Sequence, residues 1–285
     1  MGRVQFLANI ASLFPWPFRA AISLSRKGVL PSHWLLESLT PKLFARGVLD
    51  SINGEPFYVP VTIAGWYRDF EPVTTAVIKR CVQPGMVVVD AGANVGYFSV
   101  LADKLGATVH AFEPGTALPI LRRNVKLHHC QRVTVHPIAL GDKNGTATFF
   151  NTEATTLDSM VEPPRGKITG RTIVPQKRLD DVISGRVDLI KIDVQGADID
   201  VLKGATRIIA DNPSLKIIAE WSPPDLIASG YKPEDLPAFF RDHGLTNIVA
   251  LDDYDPRGKT IEEMLVVFAA DNDGTKYCNL LAQRE

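Results

Sequence analysis

The residues best placed to do chemistry begin with Asp90, which ends the apolar run 87–89 and is followed by the turn 92–96, with glycine at both ends. Glycine tolerates positive φ and lets a ligand approach the backbone closely, as a nucleoside lying across the end of a first strand requires. A dinucleotide site would use G-x-G-x-x-G to bring a pyrophosphate onto the helix N-terminus. This chain has D-x-G-x-N-x-G instead, and its acid would repel a diphosphate and attract a cation. The turn therefore predicts a nucleoside cofactor that carries positive charge.

A second acid, Glu113, follows the predicted strand 108–112, at the point from which a carboxylate reaches ribose hydroxyls. Taken alone, Asp90 would be interpreted as a helix cap and Glu113 as a surface charge. Their joint placement at the ends of adjacent strands favours a shared ligand. S-adenosylmethionine fits this pair, because it carries an ammonium and a sulfonium but no phosphate.

A third group of charged residues follows the apolar strand 188–192, where open α/β sheets place their ligands. Asp193 is the first candidate for orienting or deprotonating an acceptor hydroxyl, and Lys191 and Glu220 are the second candidates. All three lie near the ends of the fourth and fifth predicted strands. The alternative is that Lys191 and Asp193 only pair with each other or cap the next helix.

Alternating helices and short apolar runs from about residue 70 predict βαβ units around a parallel sheet that is buried on both faces. The predicted strands are 86–91, 108–112, 133–137, 188–192, 215–220, 247–251 and 264–269, and the predicted helices between them include 97–105, 117–128 and 199–211. The first five strands are expected to be parallel. The polar segment 252–263 is too short for a crossover helix, so the last two strands are expected to form an antiparallel hairpin.

Residues 1–70 are expected to form a helical N-terminal extension, broken by prolines and ending in the strand-like segment 54–61. They carry no chemical motif. The extension would pack on the core, cap the site or lie on a membrane surface through its aromatic side chains.

The catalytic domain is expected to span 71–285 and to contain an insertion at 141–187. Segments 146–150 and 172–177 of the insertion predict an extra pair of strands. Long insertions in compact domains tend to be lids or binding loops, so this one is expected to form the acceptor wall; the alternative is a solvated loop. Its candidate donors to the acceptor are Thr155, Thr156, Arg165, Lys167 and Arg171.

Composition excludes several classes of protein. With 45% hydrophobic and 22% charged residues, the 285-residue chain has the material for a large core, which excludes disorder. A net charge of −1 gives no general attraction to nucleic acid. The three cysteines stand apart, so neither a disulfide framework nor a cysteine-rich zinc site is expected, and a reducing, cytoplasmic setting fits best. No apolar stretch near the start reaches the ~20 residues of a membrane span.

Several motifs occur in order between about residues 71 and 220: D-x-G-A-N-x-G-x-F, F-E-P, A-L-G-D-x-x-G and K-I-D-x-x-G. In this combination the chain resembles the FkbM family of S-adenosylmethionine-dependent methyltransferases. The resemblance implies O-methylation of a hydroxyl on a sugar, glycolipid or natural product. It also implies a Rossmann-like α/β sheet of seven mostly parallel strands with an antiparallel last strand.

The resemblance implies a cofactor site made of Asp90, Gly92, Ala93, Asn94, Gly96, Tyr97, Glu113, Pro114, Ala139, Leu140 and Asp142. Within it, Glu113 would contact the ribose, and Asp142 would lie at the adenine edge. The chain departs from the family where K-I-D-x-E-G has Gln195 in place of glutamate and where a later glutamate is Asp198. The change removes a negative charge beside Asp193, so no metal is expected there.

Two alternatives from other classes remain open on sequence alone. A nicotinamide-dependent oxidoreductase shares the strand, the turn and the acid after the second strand. A methyltransferase-like scaffold would bind cofactor or a partner without turnover, as Gln195 and Asp198 would suggest. In the leading interpretation the partner is a small-molecule or glycan acceptor.

Overall fold

The computed structural model describes residues 47–60, 64, 69–152, 155–253, 255, 258–271, 273 and 275–285. The part of the predicted N-terminal extension before residue 47, including its aromatic side chains for membrane contact, lies outside the described residues. Within the described ranges, no helix combines the length and apolar character needed to cross a bilayer.

The strands of the described ranges are β1 (Val48–Ile52), β2 (Glu55–Val59), β3 (Val87–Ala91), β4 (Thr108–Phe112), β5 (Val133–His136), β6 (Ala139–Leu140), β7 (Gly145–Thr152), β8 (Ile168–Lys177), β9 (Leu189–Ile192), β10 (Lys216–Trp221), β11 (Asn247–Leu251) and β12 (Cys278–Gln283). The helices are α1 (Pro72–Cys81), α2 (Tyr97–Lys104), α3 (Leu118–Leu127), α4 (Leu179–Val182), α5 (Asp198–Lys203), α6 (Thr206–Asp211), α7 (Pro223–Ala228), α8 (Asp235–Asp242) and α9 (Ile261–Ala269).

Seven strands form the central sheet in the order β11-β12-β10-β9-β3-β4-β5. Strands β3, β4, β5, β9 and β10 pair in parallel, whereas β12 is antiparallel to both β10 and β11. All of β9 is buried, as expected for a strand with helices on both faces. The predicted Rossmann-like α/β fold with an antiparallel last strand is confirmed, and the predicted parallel strands agree with the structure to within one residue at each end.

The prediction of a strand at 264–269 is wrong, and so is the hairpin predicted through 252–263. This segment is the helix α9, and the antiparallel closing strand is β12. A continuous apolar run does not distinguish a buried strand from a helix by periodicity. The overlooked signal is a capping box, in which the Thr260 hydroxyl accepts from Glu263 N while the Glu263 carboxylate accepts from Thr260 N.

The predicted helix 199–211 is two short helices, α5 and α6, separated at Gly204. A Cβ at this glycine would lie 2.1 Å from the carbonyl oxygen of Gly141. The absence of a side chain at Gly204 therefore lets the start of the insertion pack against the helix pair.

The hairpin of β1 and β2 falls in the predicted N-terminal extension but shares its core with the sheet. Phe57 is 1% exposed and belongs to the same apolar cluster as Val88 of β3. Asn124, on α3, fixes the hairpin through hydrogen bonds with the backbone of Tyr58, and its amide also donates to the carbonyl of Val95 in the glycine turn. The hairpin is thereby tied to the turn that follows β3.

The insertion supplies two strands of a separate three-stranded sheet, whose order is β6-β8-β7, and β6 directly precedes the insertion. The long strands β7 and β8 are antiparallel, which confirms the extra strand pair predicted at 146–150 and 172–177. The segment between them, 155–167, is the part of the insertion that reaches the edge of the central sheet.

The capping box of α9 gives a stability prediction. Thr260→Ala removes the hydroxyl that caps the helix and should lower the free energy of unfolding by about 1 kcal/mol, measured by urea denaturation. Glu262→Ala, an exposed acid of the same turn outside the box, should change it by less than about 0.5 kcal/mol. Equal losses in the two variants would show that the box does not stabilise this helix.

Candidate active site

A cavity of about 880 Å³ opens at the carboxyl ends of β3, β4, β9 and β10. This volume lies in the range of small-molecule and cofactor sites, and the position is the one at which open α/β sheets bind ligands. The cavity brings together most of the predicted site residues: Asp90, Gly92, Ala93, Asn94, Tyr97, Glu113, Pro114, Ala139, Leu140, Lys191, Asp193 and Glu220.

Two predicted residues, Gly96 and Asp142, are not among the lining residues. Gly96 has a φ of 90° and packs against Leu121, whose Cδ1 would lie 2.4 Å from an added Cβ, so this glycine shapes the turn from beneath. Asp142 follows β6 and is exposed. The insertion places another acid, Asp158, in the cavity lining.

The glycine turn touches the loop that follows β9. Gly92 has a φ of 80°, and a Cβ there would lie only 1.8 Å from the carbonyl oxygen of Asp193. The backbone N–H of Asp193 in turn donates to Ala91 O at 2.9 Å. These contacts require glycine at position 92 and fix the two strand ends side by side.

Asp90 lies under this turn and is 2% exposed. Its Oδ2 accepts a hydrogen bond from Ser99 Oγ at 2.5 Å. Burial raises the pKa of Asp90, and the Lys191 ammonium and the Ser99 hydroxyl act in the opposite direction. Asp90 therefore forms part of the floor of the cavity through a carboxyl group that Ser99 holds in place.

Glu113 holds the turn at its other side. One carboxylate oxygen accepts from Asn94 N at 2.9 Å and the other from Gly115 N at 2.7 Å. Burial raises the pKa of Glu113 to about 7 in spite of these donors. Near neutral pH the group can accept or donate a hydrogen bond, which suits hydroxyl groups of a ligand.

Lys191 and Asp193 form an ion pair with Nζ and Oδ2 3.0 Å apart, as the structural alternative expected, and both also line the cavity. Burial acts against the charged form of Lys191, but the carboxylates of Asp193, Glu71 and Asp90 outweigh it and raise its pKa. The raised pKa favours the ammonium form, which has no lone pair with which to accept a proton.

Gln195 joins Asp193 to Glu220, the third candidate. Its Nε2 donates to Asp193 Oδ1 at 2.9 Å and to Glu220 Oε2 at 2.8 Å. Burial raises the pKa of Glu220 well above its usual range, and the charge of Asp193 adds to the effect. Within the described ranges, no group of three or more His, Cys, Asp or Glu side chains is arranged to hold a metal ion.

The insertion docks on this same loop. Ser159, 1% exposed, donates from Oγ to Gln195 O at 2.7 Å and lies 3.1 Å from Val194 O. Arg165 reaches across to α7, where its Nη2 donates to the buried carboxylate of Asp225 at 2.7 Å. The insertion is therefore held over the site at two points.

The predicted donors of the insertion divide into two groups. Thr156 and Arg165 line the cavity, whereas Lys167 and Arg171 are exposed. The Thr155 side chain lies outside the described part of the structure. Ser159 was not predicted, because a single serine between strands carries no distinguishing pattern in the sequence.

Glu71 is a lining residue that sequence reasoning did not identify. It precedes α1 with a φ of 40°, and its Oε2 accepts from Asn279 Nδ2 of β12 at 3.0 Å. Desolvation raises the pKa of Glu71 to about 7, while the ammonium of Lys191 acts against this shift. The Glu-Pro dipeptide signals only a helix start, so nothing local points to the site.

A pH-dependent prediction follows for Glu71. Its pKa is higher in the folded chain than its ordinary value of 4.5, so the ionised form destabilises the fold as pH rises from about 4.5 to 7. Glu71→Gln removes the charge, so the variant should gain about 1 to 3 kcal/mol relative to the wild type over this interval, measured by urea unfolding at several pH values. The exposed acid Glu162, changed to Gln, serves as the control. A stability difference that does not vary with pH would contradict the desolvated setting of Glu71.

Residues 90–245, more than half of the chain, match the family model described as "Methyltransferase FkbM domain". "Methyltransferase 1" of Beauveria bassiana is 32% identical over 41% of this chain and 57% of its own length. "31-O-demethyl-FK506 methyltransferase FkbM" of Streptomyces tacrolimicus is 29% identical over 60% of this chain and 76% of its own length. A solved structure, methyltransferase FkbM of Methylobacillus flagellatus, is 14% identical with a TM-score of 0.40, covering 98% of this chain and 58% of that chain. The family match runs from the acid at the end of β3 to beyond α8, and the chain belongs to the FkbM methyltransferase family.

Proposed function

We propose that this methyltransferase takes its methyl group from S-adenosylmethionine and transfers it to a hydroxyl of a sugar, glycolipid or natural product. The observation that carries the proposal is the pair of acids, Asp90 and Glu113, at adjacent strand ends around the glycine turn in one cavity. Carboxylates at these places suit a cationic nucleoside and disfavour a diphosphate.

The order of the strands supports one direction for the proposed cofactor. Glu113 follows β4, Asp90 ends β3, Asp193 follows β9 and Glu220 lies on β10, and these four strands are neighbours in the sheet. Adenosine over β4 therefore directs the methionine chain across the glycine turn and the sulfonium toward β9. The acceptor then lies between the end of β10 and the insertion.

S-adenosylmethionine would supply an electrophilic methyl group on its sulfonium, so positioning is the main task of the protein. Well-oriented reactants contribute about 7 to 11 kcal/mol. Asp193 faces this end of the cavity and accepts the hydroxyl proton as the oxygen attacks, a step that adds about 10² to 10⁴-fold. Lys191, fixed as an ammonium, balances the charge of that carboxylate.

Two further observations support the proposal: the first concerns the chemical class and the second the cellular setting. A relative that covers 60% of this chain is named as a 31-O-demethyl-FK506 methyltransferase, a name that places the methyl group on oxygen. The cysteines of the chain, Cys81, Cys130 and Cys278, are free thiols, which fits the cytoplasm.

Calorimetric titration with S-adenosylhomocysteine and, separately, with NAD tests the proposed cofactor. We expect binding of the first and none of the second, because acids flank the turn on which a pyrophosphate would lie. Binding of NAD alone would overturn the proposal. Transfer of label from S-adenosylmethionine to a panel of glycans and polyhydroxylated small molecules then tests the acceptor class, and label found on nitrogen or carbon would contradict O-methylation.

Glu113 gives a direct prediction for cofactor affinity. Glu113→Ala removes hydrogen bonds to the ribose from a charged group and should weaken S-adenosylhomocysteine binding by about 1.5 to 3 kcal/mol, measured by calorimetry. The exposed acid Glu162, changed to alanine, should leave affinity unchanged. A folded Glu113→Ala variant with wild-type affinity would contradict the ribose assignment.

The insertion gives a prediction that separates acceptor from cofactor. Replacing residues 160–170 by a short Gly/Ser linker removes Arg165 but keeps Ser159, which holds the loop after β9. S-adenosylhomocysteine affinity should stay within a few fold, and methyl transfer should be lost. Retained transfer, or loss of cofactor binding with the fold intact, would show that the insertion is not the acceptor wall.

A further inference from the structure

We propose that Gln195 is a positioning residue that aims the Asp193 carboxylate at the methyl group to be transferred. The inference rests on the function proposed above. It assigns a role to a side chain that carries no charge, takes no part in the glycine turn and stands between two acids.

The Gln195 amide is a bridge whose donors are both occupied. Nε2 carries two N–H hydrogens, and it lies 2.9 Å from Asp193 Oδ1 and 2.8 Å from Glu220 Oε2. Asp193 Oδ2 accepts from Lys191 Nζ at 3.0 Å. Each oxygen of Asp193 therefore has a fixed donor and keeps one lone pair for a ligand.

Without the amide, the two acids would face each other across a short gap. Both carboxylates contact the same nitrogen, and like charges at that separation repel strongly in a poorly solvated site. Lys191 donates to Asp193 and not to Glu220. The two N–H groups of the Gln195 amide hold both acids, which an ionised carboxylate at position 195 would not do.

The backbone at this position is held in an unfavourable conformation. Gln195 has a φ of 53°, in the left-handed region that a residue with a Cβ rarely occupies. The Ser159 hydroxyl of the insertion fixes its carbonyl at 2.7 Å. Gly196 follows with a φ of 97°, and Asp225 O would lie 2.5 Å from a Cβ there. Strain of this kind persists where surrounding contacts impose it, and it is concentrated at functional sites.

Two side chains thus orient Asp193: the charged Lys191 and the neutral Gln195. The ion pair with Lys191 alone leaves the carboxylate free to rotate about the bond to Cβ. The second anchor at Oδ1 removes that rotation, so the remaining lone pairs keep one direction. Loss of Gln195 should misdirect Asp193 without removing its charge.

Sinefungin tests this geometry without an acceptor, because it carries an amine-bearing carbon where S-adenosylmethionine has its methylated sulfonium. Its ammonium occupies the place of the methyl group, so a correctly aimed Asp193 should bind it. We expect the wild-type chain to bind sinefungin about tenfold or more tighter than S-adenosylhomocysteine, measured by calorimetry. Asp193→Asn should remove most of this preference.

Gln195→Ala and Gln195→Met should reduce the preference for sinefungin to about threefold or less, while affinity for S-adenosylhomocysteine stays within about twofold. In the Asp193→Asn background, Gln195→Ala should have no further effect, since a positioning residue acts only through the group it positions. Gln131→Ala, an exposed glutamine whose amide donates to His129 O, is the matched control and should keep the wild-type preference.

Each contrary result has a distinct meaning. Failure of the wild type to bind S-adenosylhomocysteine would overturn the proposed function itself. Binding without a preference for sinefungin, or a preference that survives in both Gln195 variants, would overturn the positioning role and leave the cofactor assignment intact. Loss of S-adenosylhomocysteine affinity in both Gln195 variants would show that Gln195 contributes to binding of the whole cofactor and would also overturn the inference. The same holds if Gln195→Ala lowers the sinefungin preference further in the Asp193→Asn background.

Discussion

The burial of one ammonium group, that of Lys191, constrains the rest of the site. The residue is 2% exposed, and a charge taken out of water costs several kcal/mol unless partners compensate for it. Its partners come from separate parts of the chain: Asp193 after β9, Asp90 at the end of β3 and Glu71 before α1. Phe98 of α2 adds a ring whose centroid lies 4.6 Å from Nζ. The requirement to compensate Lys191 therefore draws acids from three elements to one point on the sheet edge.

Around this point the backbone is strained where it borders the cavity. Glu71, Asn94 and Gln195 all have positive φ, and all three line the cavity. Non-glycine residues rarely adopt this conformation, and its concentration at one site indicates that the surroundings impose it. At two of them the contacts that impose it are hydrogen bonds with other elements: Asn94 N donates to the Glu113 carboxylate, and the Ser159 hydroxyl donates to Gln195 O. Contacts within the chain therefore hold two of these residues in the left-handed conformation.

The parts of this arrangement that depend on local pattern were predictable from the sequence. Buried parallel strands are short apolar runs, and Asp90 and Glu113 follow two of them at the positions that a nucleoside site requires. The failures lie where pattern is ambiguous or contacts are distant in sequence. The apolar run of α9 has no clear period, so its cap alone would have identified it. Glu71 contacts Asn279, more than 200 residues away in the sequence, and Gln195 contacts Glu220, 25 residues away. At such separations the spacing of residues in the sequence does not predict which side chains meet.

In the function proposed above, adenosine lies over the end of β4 and the sulfur faces β9. A crystal structure of the chain with S-adenosylhomocysteine tests this directly. We predict ribose hydroxyls within hydrogen-bond distance of Glu113 and the thioether sulfur directed toward the pair of Lys191 and Asp193. A ligand in the opposite direction, with its ribose against Asp193 and its methionine portion against Glu113, would contradict it.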